Sequence, residues 1–133
     1  MKAKKLSVKT SQTVQFINID HKVREVIRES GVQDGLCVIF VPHTTAGVTI
    51  NENADPDVVR DMAMEINKIV PLNDGYYHME GNSAAHIKSS MIGPSLTIII
   101  ENGRPVFGTW QSLYFCEFDG PRSRSYFVKV VAG

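Results

Sequence analysis

The stretch LTIIIENGRPVFGT, residues 96–109, decides the fold class because it holds the clearest strand and turn pattern in the chain. An apolar β-rich run over residues 96–100 leads into Asn102-Gly103, and a second β-rich run over residues 105–109 follows. An Asn-Gly pair between two such runs is the strongest short-range signal of a tight hairpin. The pattern therefore predicts a β-hairpin in the C-terminal half.

Working outward from this hairpin, further strands are predicted on both sides of it. Apolar alternation over residues 6–8 and 14–19, joined by polar turn residues 9–13, predicts an opening hairpin. Residues 36–41 are apolar on both parities, which favours a strand buried on both faces, with residues 47–50 as its partner. Two more strands are predicted at residues 113–118 and 125–131.

Helical periodicity and end signals predict two or three helices. Asp20 is a candidate cap for a helix that runs to about Ser30 and stops at Gly31. Asp55-Pro56-Asp57 begins a second helix that ends before Pro71. Residues 73–82 have no period and predict a long loop, before a short helix over residues 83–91. The chain is thus predicted to be one α+β domain over residues 1–133, mainly antiparallel sheets with helices packed on them.

Composition excludes several classes of protein. The 14 acidic side chains cancel the 14 basic ones, so the basic surplus of a nonspecific nucleic-acid binder is missing. No apolar run approaches the roughly 20 residues of a membrane span, and no apolar segment of a signal peptide follows the N-terminal lysines. We therefore expect a cytoplasmic protein that binds no nucleic acid and no membrane, with Cys37 and Cys116 as reduced core thiols.

Three of the four histidines lie in predicted turns or loops beside other polar groups: His43, His78 and His86. Neutral imidazole is the commonest side-chain metal ligand, and three histidines with one open position form a recurring catalytic zinc site. The alternative is that each ring is an ordinary hydrogen-bonded turn residue. His78 and His86 lack the spacing of a helical two-histidine motif, so only the fold could assemble such a site.

Polar residues around the predicted short helix could bind substrate or assist catalysis. Glu80 could orient a histidine or act as a base, whereas Asn82 is better placed to cap the helix. Free N–H groups at the helix start attract anions, and Lys88 and Ser89 follow within two turns.

The C-terminal half adds candidates for anion and ligand binding. Arg122 and Arg124 suit bidentate phosphate contacts, although arginines after a turn are often merely solvated. Trp110 and Gln111 stand at a strand end, where the indole could either pack in the core or form the wall of a pocket.

Three segments together give the chain a resemblance to a known family. HTTAGVTINENADPDV, YHMEGNSAAHIKSSMIG and PSLTIIIENGRPVFGTWQSLYFCEFDGPRSR resemble the YjbQ-type family, whose members are sometimes described as secondary thiamine-phosphate synthases. The likeness covers nearly the whole chain, and its most specific part is Ser89-Ser90 followed by the β-run, the Asn-Gly turn and GTWQ.

This resemblance implies a compact α+β domain that forms a homotrimer, with polar motif residues near subunit boundaries. It also implies coupling of a hydroxymethylpyrimidine diphosphate to a thiazole phosphate. Our first hypothesis is an enzyme of this kind in which His43, His78 and His86 hold a divalent metal, zinc or else magnesium. A non-catalytic protein that binds a metal or ligand is one alternative. A metal-dependent hydrolase with Glu80 or Glu52 as base is another.

Overall fold

Two antiparallel sheets form the framework of the protein. The computed structural model describes residues 2–133. Its elements, in chain order, are β1 Lys4–Lys9, β2 Gln15–Asn18, α1 Asp20–Ser30, β3 Gly35–Phe40, β4 Ala46–Glu52, α2 Pro56–Ile69, α3 Ser83–Ile92, β5 Ser95–Glu101, β6 Arg104–Pro105, β7 Gln111–Glu117 and β8 Ser123–Ala132. One sheet has the strand order β1-β8-β3-β5-β6, and the other has the order β2-β7-β4. The predicted α+β class is confirmed.

The main core lies between the two sheets and one side of α1. Side chains from both sheets, such as Ile39, Val48 and Phe115, are completely buried there together with Val23 and Ile27 of α1. A second, smaller cluster lies on the other face of the three-stranded sheet and includes residues of α2, α3 and β7. Helices therefore cover the three-stranded sheet from outside.

The local signals for turns and helix ends were largely correct. Asn102 and Gly103 both have positive φ, 53° and 72°, as a tight Asn-Gly turn requires. The Asp55 side chain accepts a hydrogen bond from the Asp57 N–H, with Pro56 in the first turn of α2. Gly31 ends α1 in the left-handed conformation. The predicted second hairpin strand is shorter than expected, because β6 ends at Pro105.

Strand pairing was predicted less well than strand position. β1 pairs with β8 and β2 with β7, so the predicted opening hairpin is wrong. Likewise β3 and β4 lie in different sheets and are not partners. In both cases the connecting segment takes the chain from one sheet to the other. Hydrophobic alternation shows which face of a strand is buried, but it does not show which strand is the neighbour.

The outer face of the five-stranded sheet is apolar and exposed. Residues 36–41 were expected to be buried on both faces, but β3 alternates: Cys37 and Ile39 are fully buried, whereas Leu36 and Phe40 are 44% and 45% exposed. Leu36 stands opposite Ile99 and Val131, which are also exposed. The apolar run thus corresponds to one face against the core and one face that residues 2–133 leave uncovered.

Asp20 illustrates how tertiary contacts displace a predicted local role. Its carboxylate accepts hydrogen bonds from the Ser112 hydroxyl and the Leu113 N–H, both at 2.6 Å. It therefore ties the start of α1 to β7, while Asn18 accepts the hydrogen bond from the Asp20 N–H. Cys37 and Cys116 are free and buried, as predicted. No helix within residues 2–133 is long and apolar enough to cross a membrane.

A buried ion pair connects the two sheets. Glu117, at the end of β7, is fully buried and accepts hydrogen bonds from Arg124 of β8 at both carboxylate oxygens. The Thr10 hydroxyl also donates to Glu117, and Nη2 of Arg124, which donates to Glu117, also donates to the Thr45 hydroxyl at 2.7 Å. Gly120 passes so close that an added Cβ would collide with Thr10 and Glu117. The buried charges of Glu117 and Arg124 are thus surrounded by hydrogen-bonding partners.

The pKa of Glu117 reflects this enclosure. Burial by itself would raise the pKa, but hydrogen bonds from Arg124, the Asp119 N–H and Thr10 outweigh burial and hold the pKa below its ordinary value of 4.5. The contribution of Glu117 to the free energy of unfolding is therefore fully present above the pKa of this carboxyl in the unfolded chain. It is lost as the pH falls through the lower pKa of the folded state.

Replacing Glu117 by glutamine should lower the free energy of unfolding by about 3–5 kcal/mol, because the charge of Arg124 would stay buried without a partner. Urea unfolding of the two proteins measures the difference. Glu101→Gln, at an exposed carboxylate on β5, is the control and should cost less than about 0.5 kcal/mol. A loss below about 1 kcal/mol for Glu117→Gln would mean that the pair contributes little.

Candidate functional site

Two of the predicted histidines come together at one end of α3. His78 lies in the exposed loop between α2 and α3, and His86 is in the first turns of α3. Their ring centroids are 5.5 Å apart and the rings are almost perpendicular. Tyr76 anchors the loop, because its hydroxyl donates to the Pro71 carbonyl at 2.6 Å. The loop is therefore fixed to the end of α2, which brings His78 back towards α3.

The two histidines share an open pocket of about 500 Å³. Its lining consists of residues from the loop and from one side of α3: Gly75, Tyr76, Tyr77, His78, Ser83, His86 and Ile87. Tyr77 is 99% exposed, and Met79, the residue after His78, is 94% exposed. A pair of imidazoles beside exposed apolar side chains can bind a cation or a flat organic group.

Within the chain, the predicted three-histidine cluster does not form. In the described part, residues 2–133, no group of three or more His, Cys, Asp or Glu side chains is arranged to hold a metal ion. Glu80 is exposed in the same loop and completes no such group with the two histidines. This chain alone therefore supplies two imidazoles where a catalytic zinc usually has three protein ligands.

His43 lies against β8 rather than beside the other two histidines. Its Nε2 atom is 3.1 Å from both the backbone nitrogen and the carbonyl oxygen of Ser125. Burial, and next the positive charge of Arg124, lower the pKa of His43 below its ordinary value of 6.5, although the Ser125 contact and Glu117 act in the opposite direction. The ring thus belongs to the surroundings of the ion pair and favours its neutral form.

A carboxylate occupies the neighbourhood where a phosphate was expected, at the start of α3. Asn82 does not cap the helix with its side chain; its amide donates to Asp119 at 3.0 Å. Asp119 accepts a second bond from Arg122 at 2.9 Å. Arg122 is therefore close to the start of α3, but part of its charge is already neutralised by Asp119.

Four other predicted binding residues have contacts that tie them to the fold. Arg124 is buried in the ion pair described above, and Ser89 is buried with its hydroxyl donating to the Ala46 carbonyl at 2.6 Å. Gln111 accepts a hydrogen bond from the Gly108 N–H within its own turn. Trp110 is exposed, and its carbonyl accepts the Asn53 N–H. The side chains of Arg124 and Ser89 are therefore engaged within the fold and do not face a phosphate site.

Lys88 is separated from the histidine pair by the body of α3. It lies two positions after His86, hence about 200° away around the helix axis, and faces α2 and the segment between β1 and β2. Its ammonium donates to Asn67, and burial lowers its pKa. The residues predicted to form one phosphate and metal site are thus divided between two sides of α3.

Two important residues gave weak signals in the sequence. Glu117 is an acid inside an otherwise apolar strand, LYFCEF, and that contrast could have identified a buried partner for an arginine. Asn67 gave no usable signal, because a polar residue near the end of an amphipathic helix is ordinarily a solvated one.

Comparison with known proteins gives a consistent result. The family model described as UPF0047 protein YjbQ-like matches residues 4–133. UPF0047 protein MJ1081 of Methanocaldococcus jannaschii is 50% identical over 96% of this chain and 92% of its own length. UPF0047 protein YugU of Bacillus subtilis is 49% identical over 96% of this chain and 98% of its own length. A crystal structure of a YjbQ/UPF0047 family protein from Clostridium acetobutylicum is 56% identical, with a TM-score of 0.95 over 96% of this chain and 99% of that one.

The environment of His43 predicts a stability that depends on pH. The unfolded chain protonates His43 near its ordinary pKa of 6.5, and the folded chain only at lower pH. Between the two values the unfolded state binds more protons, so the free energy of unfolding should fall as the pH drops through this window. His43→Gln keeps an amide donor and acceptor for Ser125 but does not titrate, so its decline should be shallower. Urea unfolding at several pH values between about 7.5 and 5.5 tests this.

His21→Gln is the matched control, since the His21 ring is 90% exposed on α1, and it should retain the wild-type slope. Equal slopes for His43→Gln and the wild type would show that His43 does not carry the effect.

Proposed function

This chain belongs to the YjbQ-like UPF0047 family, and from that premise and its histidine pair we propose that it is a metal-assisted transferase acting on phosphorylated small molecules. The proposed reaction is the one that the resemblance implies, in which a pyrimidine diphosphate is coupled to a thiazole phosphate. The carbon–oxygen bond to the diphosphate breaks, and a carbon–nitrogen bond to the thiazole forms.

The observation that carries the proposal is the approach of His78 to His86 in an open pocket. Two imidazole nitrogens about 2.0–2.1 Å from a shared tetrahedral zinc place their ring centroids about 5 Å apart, close to the observed 5.5 Å. The pair therefore fits as two ligands of a divalent ion such as zinc. A third ligand would come from another subunit or from solvent, and His43 of a neighbouring copy is one candidate.

The residues around the pocket suggest how a phosphorylated substrate is held. A bound divalent ion would neutralise the negative charge that develops on a departing diphosphate. Tyr76 and Tyr77 offer aromatic faces for a heterocyclic ring. Arg122 is half-exposed beyond Asp119 and can reach a phosphate at the rim of the site. No strong base is needed, because the thiazole nitrogen is itself the nucleophile.

A non-catalytic binding role is the second candidate, and one observation favours it. Tyr77 and Met79 flank His78 and are almost completely exposed, as residues that contact another molecule often are. A hydrolase is less well supported, because Glu80 is not grouped with the histidines as a base for an activated water would be. Turnover of the two substrates distinguishes an enzyme from a binding protein.

We further propose the homotrimer that the resemblance implies. The outer face of the five-stranded sheet supports it, since Leu36, Ile99 and Val131 are exposed apolar neighbours across three paired strands, and Phe40 is exposed four residues further along β3. Such a surface is costly to leave in water, and in a closed ring of three copies each copy would cover it with a different surface of the next copy.

Replacing His78 by alanine should abolish metal retention and coupling activity together, because one imidazole cannot hold the ion alone. Metal content after dialysis, measured by atomic spectroscopy, and product formation from the pyrimidine and thiazole substrates test this. His21→Ala, at an exposed ring on α1, should change neither quantity. If His78→Ala retained both, the histidine pair would have no role in the reaction. Metal retention without turnover in the wild type would favour the binding role.

Ile99→Asp should shift the assembly towards monomer, because it places a charge in the middle of the proposed contact face. Light scattering at micromolar protein concentration measures the mass of the wild type and the variant. Met64→Asp, at an exposed apolar position on α2 outside this face, shows whether a charge placed anywhere on the surface has this effect. A wild-type mass equal to one chain would refute the trimer.

A further inference from the structure

Among residues 2–133, Lys88 is a buried cation without a counter-charge. The side chain is only 5% exposed. Within residues 2–133, no carboxylate oxygen lies within 4.0 Å of its ammonium, and its one hydrogen bond goes to Asn67 at 2.5 Å. Lysine is almost never buried unless it is paired, since moving an ammonium out of water is very unfavourable. The fold thus retains an unbalanced positive charge with two N–H donors unused.

The surroundings of Lys88 form a groove of about 510 Å³ between three segments of the chain. Its polar lining comes from Gln12, Thr13 and Asn67, and its apolar lining from Val14, Pro71 and Leu72. A groove of this volume, lined by both polar and apolar side chains, is typical of small-molecule sites, in which a few polar groups orient a ligand against apolar walls. The lining includes no acidic side chain that would repel an anion.

The hydrogen-bond donors at the polar end of the groove, on Lys88 and Asn67, are suited to binding an oxyanion. Asn67 accepts from Lys88 through its oxygen, which leaves the amide N–H₂ as a donor. Lysine is a common phosphate ligand, because phosphate oxygens can approach its compact ammonium group from many directions. A buried ammonium binds an anion more strongly than an exposed one, since little water screens the two charges.

We propose that this groove is a second ligand site that binds a small phosphate monoester. The phosphate oxygens contact the ammonium of Lys88 and the amide of Asn67, and the organic part lies against Val14, Pro71 and Leu72. The site is on the opposite side of α3 from His78 and His86, and it does not depend on the function proposed for them.

Phenyl phosphate is a suitable probe, because it joins a phosphate monoester to a small apolar ring. Thermal unfolding with increasing phenyl phosphate, against sodium chloride of equal ionic strength, measures binding to the folded state through the rise in Tm. The wild type should be stabilised beyond the chloride control. Lys88→Met, which keeps an unbranched apolar chain but removes the charge, should weaken binding by about tenfold or more. Without ligand, this variant should be at least as stable as the wild type, because an unpaired buried charge is removed.

Two controls and a second variant make the result specific. Lys68→Met, at an exposed lysine in the last turn of α2, should keep the wild-type response. His78→Ala, compared with the wild type without added metal, tells this groove from the histidine pair, because a response that remains in this variant belongs to the groove. Thr13→Glu, at an exposed position in the lining, should abolish the response by placing a carboxylate near the ammonium. It tests the groove even if Lys88→Met fails to fold.

The proposal is overturned if the wild type responds no more to phenyl phosphate than to chloride. It is also overturned if the response survives both groove variants, or if His78→Ala removes it. The last result would place the anion at the histidine pair.

Discussion

The ion pair between Glu117 and Arg124 holds the two sheets together at the point where the chain passes from one to the other. Glu117 ends β7 and Arg124 begins the inner face of β8, so the short turn between them changes sheets. Removing two charges from water is unfavourable unless their hydrogen bonds are complete. The structure meets this condition with Thr10 and Thr45, which come from distant parts of the chain. The position of β1 and the entry to β4 are therefore fixed by the same two charges.

This constraint also determines where chemistry is possible. Arg124 is buried in this pair, and His43 lies within the field of its guanidinium rather than beside His78 and His86 of the same chain. One turn further, Asp119 pairs with Arg122 and accepts from Asn82, so the start of α3 is joined to the same turn. The carboxylate of Asp119 thus links the residue before α3 to Arg122 and neutralises part of the positive charge near this helix end.

α3 is the element on which both candidate sites depend. Ser89 fixes the helix to the three-stranded sheet through Ala46, and the buried Ala84 and Ala85 allow close packing there. Two other sides of the helix then remain for function, one with His86 and one with Lys88. Residues two positions apart on a helix point in nearly opposite directions, so a single short motif, AHIKSS, serves two different surfaces.

The sequence by itself determined the α+β class, the positions of most helices and strands, the Asn102-Gly103 turn and the cap at Asp55. These features depend on the periodicity or conformational preference of adjacent residues, which a sequence displays directly. It also predicted that His78 and His86 lie close together, through the motifs that carry the resemblance, and their ring centroids are 5.5 Å apart. Only the tertiary structure decided which strands pair, that His43 lies elsewhere, and that Arg124 and Ser89 belong to the fold. Those outcomes depend on contacts between residues far apart in the chain, such as Glu117 with Thr10 or Lys88 with Asn67, and local pattern carries no record of such partners.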